Sequence, residues 1–385
     1  MFVAAFSLIL TTYLFFRLIR PLKISRIGKG VISAILLLAL MKYQLVSLFM
    51  PKGSGYLTPD LPGLLLLLLE FPNITALLLF LLTISLELPR DLFLLGCRLF
   101  HRKTLAEKYR RLEPRIHLAL FLFAILIACA GIRNGLAMPE VRHIETPVAG
   151  LPESAEGFRL VLLADFHADR MTRPQRLRYI VDTVNSLKPD AVAMVGDFAD
   201  GLPSGVPGER LKVLAEIKSK FGSFGVTGNH EYYSDGAAWL EYLPTLNIRM
   251  LNNEHEVLPC GIAFAGVPDP AAKSRGLPVP DLDKALSGIP EGVPVILLEH
   301  RPKTAKESAE KGVALQLSGH THGGMLPGLK QLVTLFNGGF VSGPYRVGNM
   351  FLYVSNGTGI WSGFSLRIFT PSEITVIRLT KAPGQ

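Results

Sequence analysis

Residues Gly319-His320-Thr321-His322-Gly323-Gly324 set two imidazoles one residue apart between glycines. Neutral imidazole is the commonest transition-metal ligand. The preceding run, 313–318, reads as a short buried strand, so both rings lie just past a strand end. Alone, the motif fits a metal grip and a polar surface turn equally well. The difference rests on whether the chain supplies further ligands.

It offers four more blocks, each after an apolar run. Asp165 and His167 follow run 158–164, and alternate residues at a strand end point the same way. Gly196-Asp197-Phe198-Ala199-Asp200 follows run 190–195, and His300 follows run 293–298. Gly228-Asn229-His230-Glu231 follows 224–227, and a neutral amide oxygen suits a hard divalent cation. Each block alone has a bland explanation, such as a turn aspartate, a surface histidine or an asparagine capping a turn. Five in series are hard to attribute to chance. They hold five of the nine histidines; His101, His117, His143 and His255 lack such context and read as structural. Asp165, His167, Asp197, Asn229, His300, His320 and His322 are too many ligands for one ion but suit two. Two cations about 3.5–4 Å apart need a bridging carboxylate, and Asp197 is the natural one. Mixed oxygen and nitrogen donors without thiolate favour Mn, Fe or Zn. Cys97, Cys129 and Cys260 are too scattered for a thiolate cluster or a disulfide framework.

The elements that must position these groups read as strands alternating with helices. A helix over 172–187 between two apolar strands suggests a right-handed βαβ unit, with ligands at the carboxyl ends of the strands. A second helix is expected at 209–220 and a third at 303–311. Short strands fall at 249–251 and 262–267, with His255 in a surface loop between them. Residues 268–292 and 325–348 read as loops, the latter glycine-rich, and 351–355 and 374–377 as closing strands.

The series Asp165-x-His167, Gly196-Asp197-x-x-Asp200, Gly228-Asn229-His230-Glu231, His300 and Gly319-His320-x-His322 resembles the calcineurin-like metallophosphoesterases, in particular their membrane-attached YkuE/YaeI-like branch. The resemblance implies an α/β fold, a four-layer α-β-β-α sandwich. It puts Asp165, His167, Asp197 and His322 on one metal and Asp197, Asn229, His300 and His320 on the other. His230 matches the family's non-ligand catalytic histidine. The implied activity is hydrolysis of a phosphate ester, expected to be a phosphodiester, by metal-activated hydroxide. The glycines around His320 and His322 are then expected to leave room for phosphate.

The first half of the chain differs in kind. Residues 1–144 hold 17 Lys+Arg and 7 Asp+Glu, a net of +10; the remaining 23 and 24 give −1, which together make the +9 of the whole. Basic charge confined to an apolar half points to a membrane rather than to nucleic acid. Apolar runs at 1–16, 31–50, 61–88 and 116–132 suggest about four transmembrane helices within 1–137. Residues 138–157 then form a linker and 158–385 the phosphoesterase domain. Basic loops after the first run and between the third and fourth are cytoplasmic by the positive-inside rule. That places the domain on the extracytoplasmic side, in an integral protein of a bacterial cell membrane. Glu70, inside the third run, is expected near an interface with 64–69 partly re-entrant, and 93–112 as an interfacial stretch. Such an anchor favours a lipid-linked phosphate ester as substrate. Phe336, Phe340, Tyr345, Trp361 and Phe364 are either an apolar rim for it or core. The rival functions are a transporter regulated by its soluble domain and a metal-binding regulatory domain without turnover.

Overall fold

The computed structural model describes residues 2–48, 63–361 and 363–382. The described residues divide into two units, one from 2–48 and 63–133 and the other from 134 onward.

In the first unit the apolar runs are helical. Helix Phe2–Leu14 continues as a wider turn over Phe15–Ile19, and Arg26–Leu40 breaks at Met41 before Lys42–Ser47. Helices Gly63–Leu99 and Lys103–Leu136 follow. Among the described residues these last two, at 37 and 34 residues, are the helices long and apolar enough to cross a membrane. The loop expected between the second and third spans falls at 49–62, outside the described residues. Residues 64–69 are not re-entrant but begin a helix that runs on through Pro72 and Pro89. Within the 93–112 stretch, residues 100–102 turn the chain from the end of one long helix into the start of the next. Glu70 is fully buried and paired with Lys42. The break at Met41 frees carbonyls, and side chains cover them: the Asn73 amide donates to the Ala39 carbonyl (2.8 Å) and the Ser7 hydroxyl to that of Leu40 (2.8 Å). Such covering is what allows a helix to break among apolar neighbours.

The second unit contains twelve strands in two sheets. They are β1 (Glu140–Val148), β2 (Arg159–Leu163), β3 (Ala191–Val195), β4 (Ser223–Val226), β5 (Ile248–Met250), β6 (Glu254–Val257), β7 (Ala263–Gly266), β8 (Val295–Leu298), β9 (Leu315–Ser318), β10 (Gly343–Val347), β11 (Met350–Val354) and β12 (Glu373–Lys381). One sheet has the order β1-β12-β2-β3-β4-β5 and the other β10-β11-β9-β8-β7-β6. β2 to β5 are mutually parallel, as are β7, β8, β9 and β11. Strands read as unbroken apolar runs because both of their faces are buried. In β2, Leu160 and Leu162 enter a core shared with Phe264, Ile296 and Leu315 of the other sheet. Val161 and Leu163, on the opposite face, pack with Leu177, Ile180 and Val184 of helix Pro174–Leu187. Val295 and Leu297 of β8 likewise join Ala305 and Val313 on the far side of the second sheet.

Four sequence expectations are corrected. The 138–157 segment is not a free linker: β1 occupies 140–148 and pairs in parallel with β12, from Glu140 opposite Glu373 to Val148 opposite Lys381. Pro147 signalled a break, yet an edge strand tolerates proline, whose missing N–H need not serve a ladder. His255 lies in β6 rather than a loop, and the glycine-rich 325–348 segment carries helix Leu329–Phe336 and β10. The helix expected at 209–220 is shorter, with Val206–Leu211 followed by one tighter turn.

Candidate metal centre

All five blocks meet at the carboxyl ends of parallel strands. Asp165 and His167 follow β2, Asp197 follows β3, Asn229 and His230 follow β4, His300 follows β8, and His320 and His322 follow β9. The strand ladder continues into these loops. The Asp165 amide donates to the Gly196 carbonyl and the His167 amide to that of Asp197, both at 3.0 Å, while Gly319 donates to His300 at 2.9 Å. Asp165, His167, Asp197, His320 and His322 all hold φ between 45° and 70°. This left-handed region is uncommon outside glycine. Concentrated strain of this kind marks a site that the surrounding structure over-determines.

Three overlapping groups place ligand atoms within 4.8 Å of one another: Asp165, His167 and His322; His167, Asp197 and His230; and Asp197, His300 and His320. Asp197 belongs to two of them. Its Oδ2 lies 3.2 Å from His300 Nε2, 3.6 Å from His167 Nε2 and 3.9 Å from His230 Nε2. His167 and His322 bring their Nε2 atoms to 3.0 Å, and His322 Nε2 is 3.7 Å from Asp165 Oδ1. The His300 and His320 ring centres are 5.1 Å apart. Asn229 opens helix Asn229–Tyr233 beside Asp197, whose Oδ1 accepts the His230 amide at 2.9 Å.

This arrangement fits cations. Asn229 Oδ1 is buried and finds no hydrogen-bond partner among the described residues. Buried polar atoms rarely remain so without a ligand or water. His300 turns its Nδ1 to the Val195 carbonyl (2.7 Å), and His167 its Nδ1 to Asp200 Oδ1 (3.2 Å). Each bond holds Nε2 inward as a lone-pair donor. Burial pushes His320 down to about 3, helped by His300 and Arg301. It also holds His322 well below the usual range, helped by His167 and Arg367. Neutral rings are what a metal needs. The buried Arg367 guanidinium lies 3.1 Å from His322 Nδ1. Burial raises Asp165 to about 6 despite His300 nearby.

His230 follows a different logic. Burial lowers it, but Asp197 and Asp200 more than offset that and raise it to about 9. Its Nδ1 contacts Asp200 Oδ1. Burial also works against the Asp200 carboxylate, yet His230 and His167 together hold it well below the ordinary range. The charges of Asp197 and Asp200 therefore favour the protonated form of the His230 ring.

Several contributors were not legible in the sequence. Asp200 entered only as part of a motif. The buried Glu231 carboxylate accepts four backbone amides, from Asp197 (3.2 Å), Phe198 (2.8 Å), Ala199 (3.3 Å) and Gly228 (2.7 Å), and so ties two ligand loops together. The Trp361 ring lies 6.0 Å from that of His230 and 6.4 Å from those of His167 and His322. Of the other proposed rim residues, Phe340 is core and packs on Tyr345, whereas Phe336 is exposed. The glycines serve the chain itself rather than phosphate. A Cβ on Gly319 would stand 2.4 Å from Asp165 Oδ2, and one on Gly228 would stand 2.2 Å from Asp197 Oδ1.

Residues 158–324 match the family model described as calcineurin-like phosphoesterase. A zebrafish (Danio rerio) protein named "Transmembrane protein with metallophosphoesterase domain" is 40% identical over 277 residues, covering 69% of this chain and 62% of its own. A Bos taurus protein of the same name is 36% identical, covering 72% and 65%. The chain thus spans somewhat less than two thirds of these two relatives. An uncharacterized metallophosphoesterase of Campylobacter jejuni is 36% identical over 265 residues, with 68% and 69% covered. This is similarity along most of both chains, with every motif at its strand end, and the chain belongs to the calcineurin-like metallophosphoesterases.

Proposed function

We propose that this protein is a membrane-anchored phosphoesterase with a two-metal centre, acting on phosphodiesters. The observation that carries the reading is that Asp197 Oδ2 lies 3.6 Å from His167 Nε2 and 3.2 Å from His300 Nε2, so one carboxylate stands against members of both proposed ligand sets. Asp165, His167, Asp197 and His322 would hold one ion, and Asp197, Asn229, His300 and His320 the other, with Mn, Fe or Zn favoured by the donor set. When bound, such a pair activates water for attack at phosphorus and neutralises phosphate oxygens. The remaining work falls to this chain. His230, kept protonated by Asp200, donates to the leaving oxygen as phosphorus–oxygen cleavage proceeds. Asp200 at once orients His230 and His167. Trp361 screens one side of the cluster from water.

The layering we propose is α-β-β-α, with the apolar helices Gly63–Leu99 and Lys103–Leu136 crossing the membrane. The charge bias of the loops supports an extracytoplasmic domain in a bacterial membrane. Anchoring there favours a lipid-linked phosphodiester over a soluble one. The test is turnover by the purified full chain, stripped and reloaded with Mn, Fe or Zn, on chromogenic mono- and diesters and on lipid-linked phosphodiesters. Metal uptake without hydrolysis on any of them would favour the regulatory, non-catalytic alternative. Hydrolysis of monoesters alone would refute the phosphodiesterase assignment.

A further inference from the structure

Beside the metal centre lies an apolar surface with no role in it. Leu332, Leu335 and Phe336 share one face of helix Leu329–Phe336 by their spacing, with exposures of 50%, 75% and 67%. Phe369, in a neighbouring loop, is 87% exposed and holds a left-handed φ of 60°, a genuine outlier for an aromatic residue. Among the described residues of 134–385 these are the four most exposed large apolar side chains. Both elements abut the turn that carries His322. A Cβ on Gly324 would meet the Lys330 Cα at 2.6 Å, and the Ile368 amide donates to the Met325 carbonyl at 2.7 Å. Arg367, two residues before Phe369, reaches His322 itself.

The charge around this surface has one sign. Residues 311–372 contain no Asp or Glu, and Lys330 and Arg346 within them are exposed. An anionic bilayer is complementary to that bias. Only residues 137–139 separate helix Lys103–Leu136 from β1. That is a tether of about 10 Å at full extension, which keeps the domain at high local concentration near lipid.

We infer that the Leu332/Leu335/Phe336 face and Phe369 insert into the headgroup–acyl boundary of an anionic bilayer. Short amphipathic helices with apolar and cationic residues bind there. The inference rests on the anchoring proposed above and adds that the centre itself is held at the lipid surface, where the phosphate of a lipid headgroup lies.

The test uses the full chain in nanodiscs containing phosphatidylglycerol, with or without brominated acyl chains. Fluorophores are attached at Leu335→Cys, Leu126→Cys or Val279→Cys in a Cys129→Ser background, since Cys97 and Cys260 are buried. Leu126 lies exposed on helix Lys103–Leu136, and Val279 is exposed elsewhere on the domain. Quenching by bromolipid of at least about twofold is expected at 126 and 335 and none at 279, with the signal at 335 reduced when phosphatidylcholine replaces phosphatidylglycerol. Quenching at 126 without quenching at 335 overturns the docking while leaving the anchoring intact. Absence of quenching at 126 overturns the anchoring itself. A label at 335 that is shielded yet unquenched means protein covers the face, which also overturns the proposal. Retained turnover of a soluble chromogenic ester by each labelled variant establishes that it is folded.

Discussion

Replacing Asp200 by asparagine keeps the shape and the Oδ1 acceptor for His230 and removes only the charge. In the parent, His230 is raised to about 9 against burial, with Asp197 and Asp200 as the opposing charges. An ion pair at about 4 Å contributes about 4 kcal/mol at an effective dielectric near 20. Loss of one opposite charge at contact moves a pKa by about 1–3 units. A fall of about two units follows for His230 in Asp200→Asn. If protonated His230 donates to the leaving group, kcat/KM declines as pH rises through that pKa, so the alkaline limb should move down by the same two units. With limbs near 9 and 7, about three quarters of the parent but about 3% of the variant is protonated at pH 8.5, a difference of about 25-fold. At pH 6.5 the two should agree within about twofold. Bound cations lower both limbs together and leave their separation. The assay is a pH profile of chromogenic phosphodiester hydrolysis, with elemental analysis alongside because Asp200 also orients His167. An unmoved alkaline limb at full metal content would refute the assignment of His230 as the acid.

Removing Asn229 Oδ1 through Asn229→Ala should lower bound metal from two ions per chain to about one, read by elemental analysis. Glu231→Ala leaves four buried amides unsatisfied; partial hydration limits the cost to about 3 kcal/mol, a fall in Tm of about 6–12 °C by differential scanning calorimetry. Gly228→Ala drives a methyl into Asp197 Oδ1 and should abolish binding of both ions, detectable by the same elemental analysis. His230→Ala should retain metal and lose turnover by about 10²-fold or more; full activity would remove it from the mechanism.

The candidate ligands were legible because their chemistry is written in residue type and their placement in the apolar run before each. Asp165, His167, Asp197, Asn229, His300, His320 and His322 needed only strand ends, and buried parallel strands announce themselves as continuous Val, Ile, Leu and Ala. The partners that set their orientation were not legible. Glu231 meets the amides of Asp197 and Phe198, and Asp200 meets His230, across roughly thirty residues of chain, contacts fixed by packing order rather than by pattern. Gly319 looked like an opening for ligand because the sequence does not reveal whose carboxylate fills the space of the missing Cβ. β1 was hidden by its prolines and by partial exposure at the sheet edge, where alternation is weak.

The pairing of β1 with β12 joins the first strand of the domain to its last. β12 lies between β1 and β2, so until residues 373–381 exist β1 lacks this partner and β2, paired with β3 on its other side, keeps one edge open. A ribosome delivers the chain from its N-terminus, and these edges stay open until β12 has been made. Such open edges invite association with other chains, and pairing across so long a separation is slow. Completion of this sheet therefore waits on residues 373–381, and their loss would remove an interior strand.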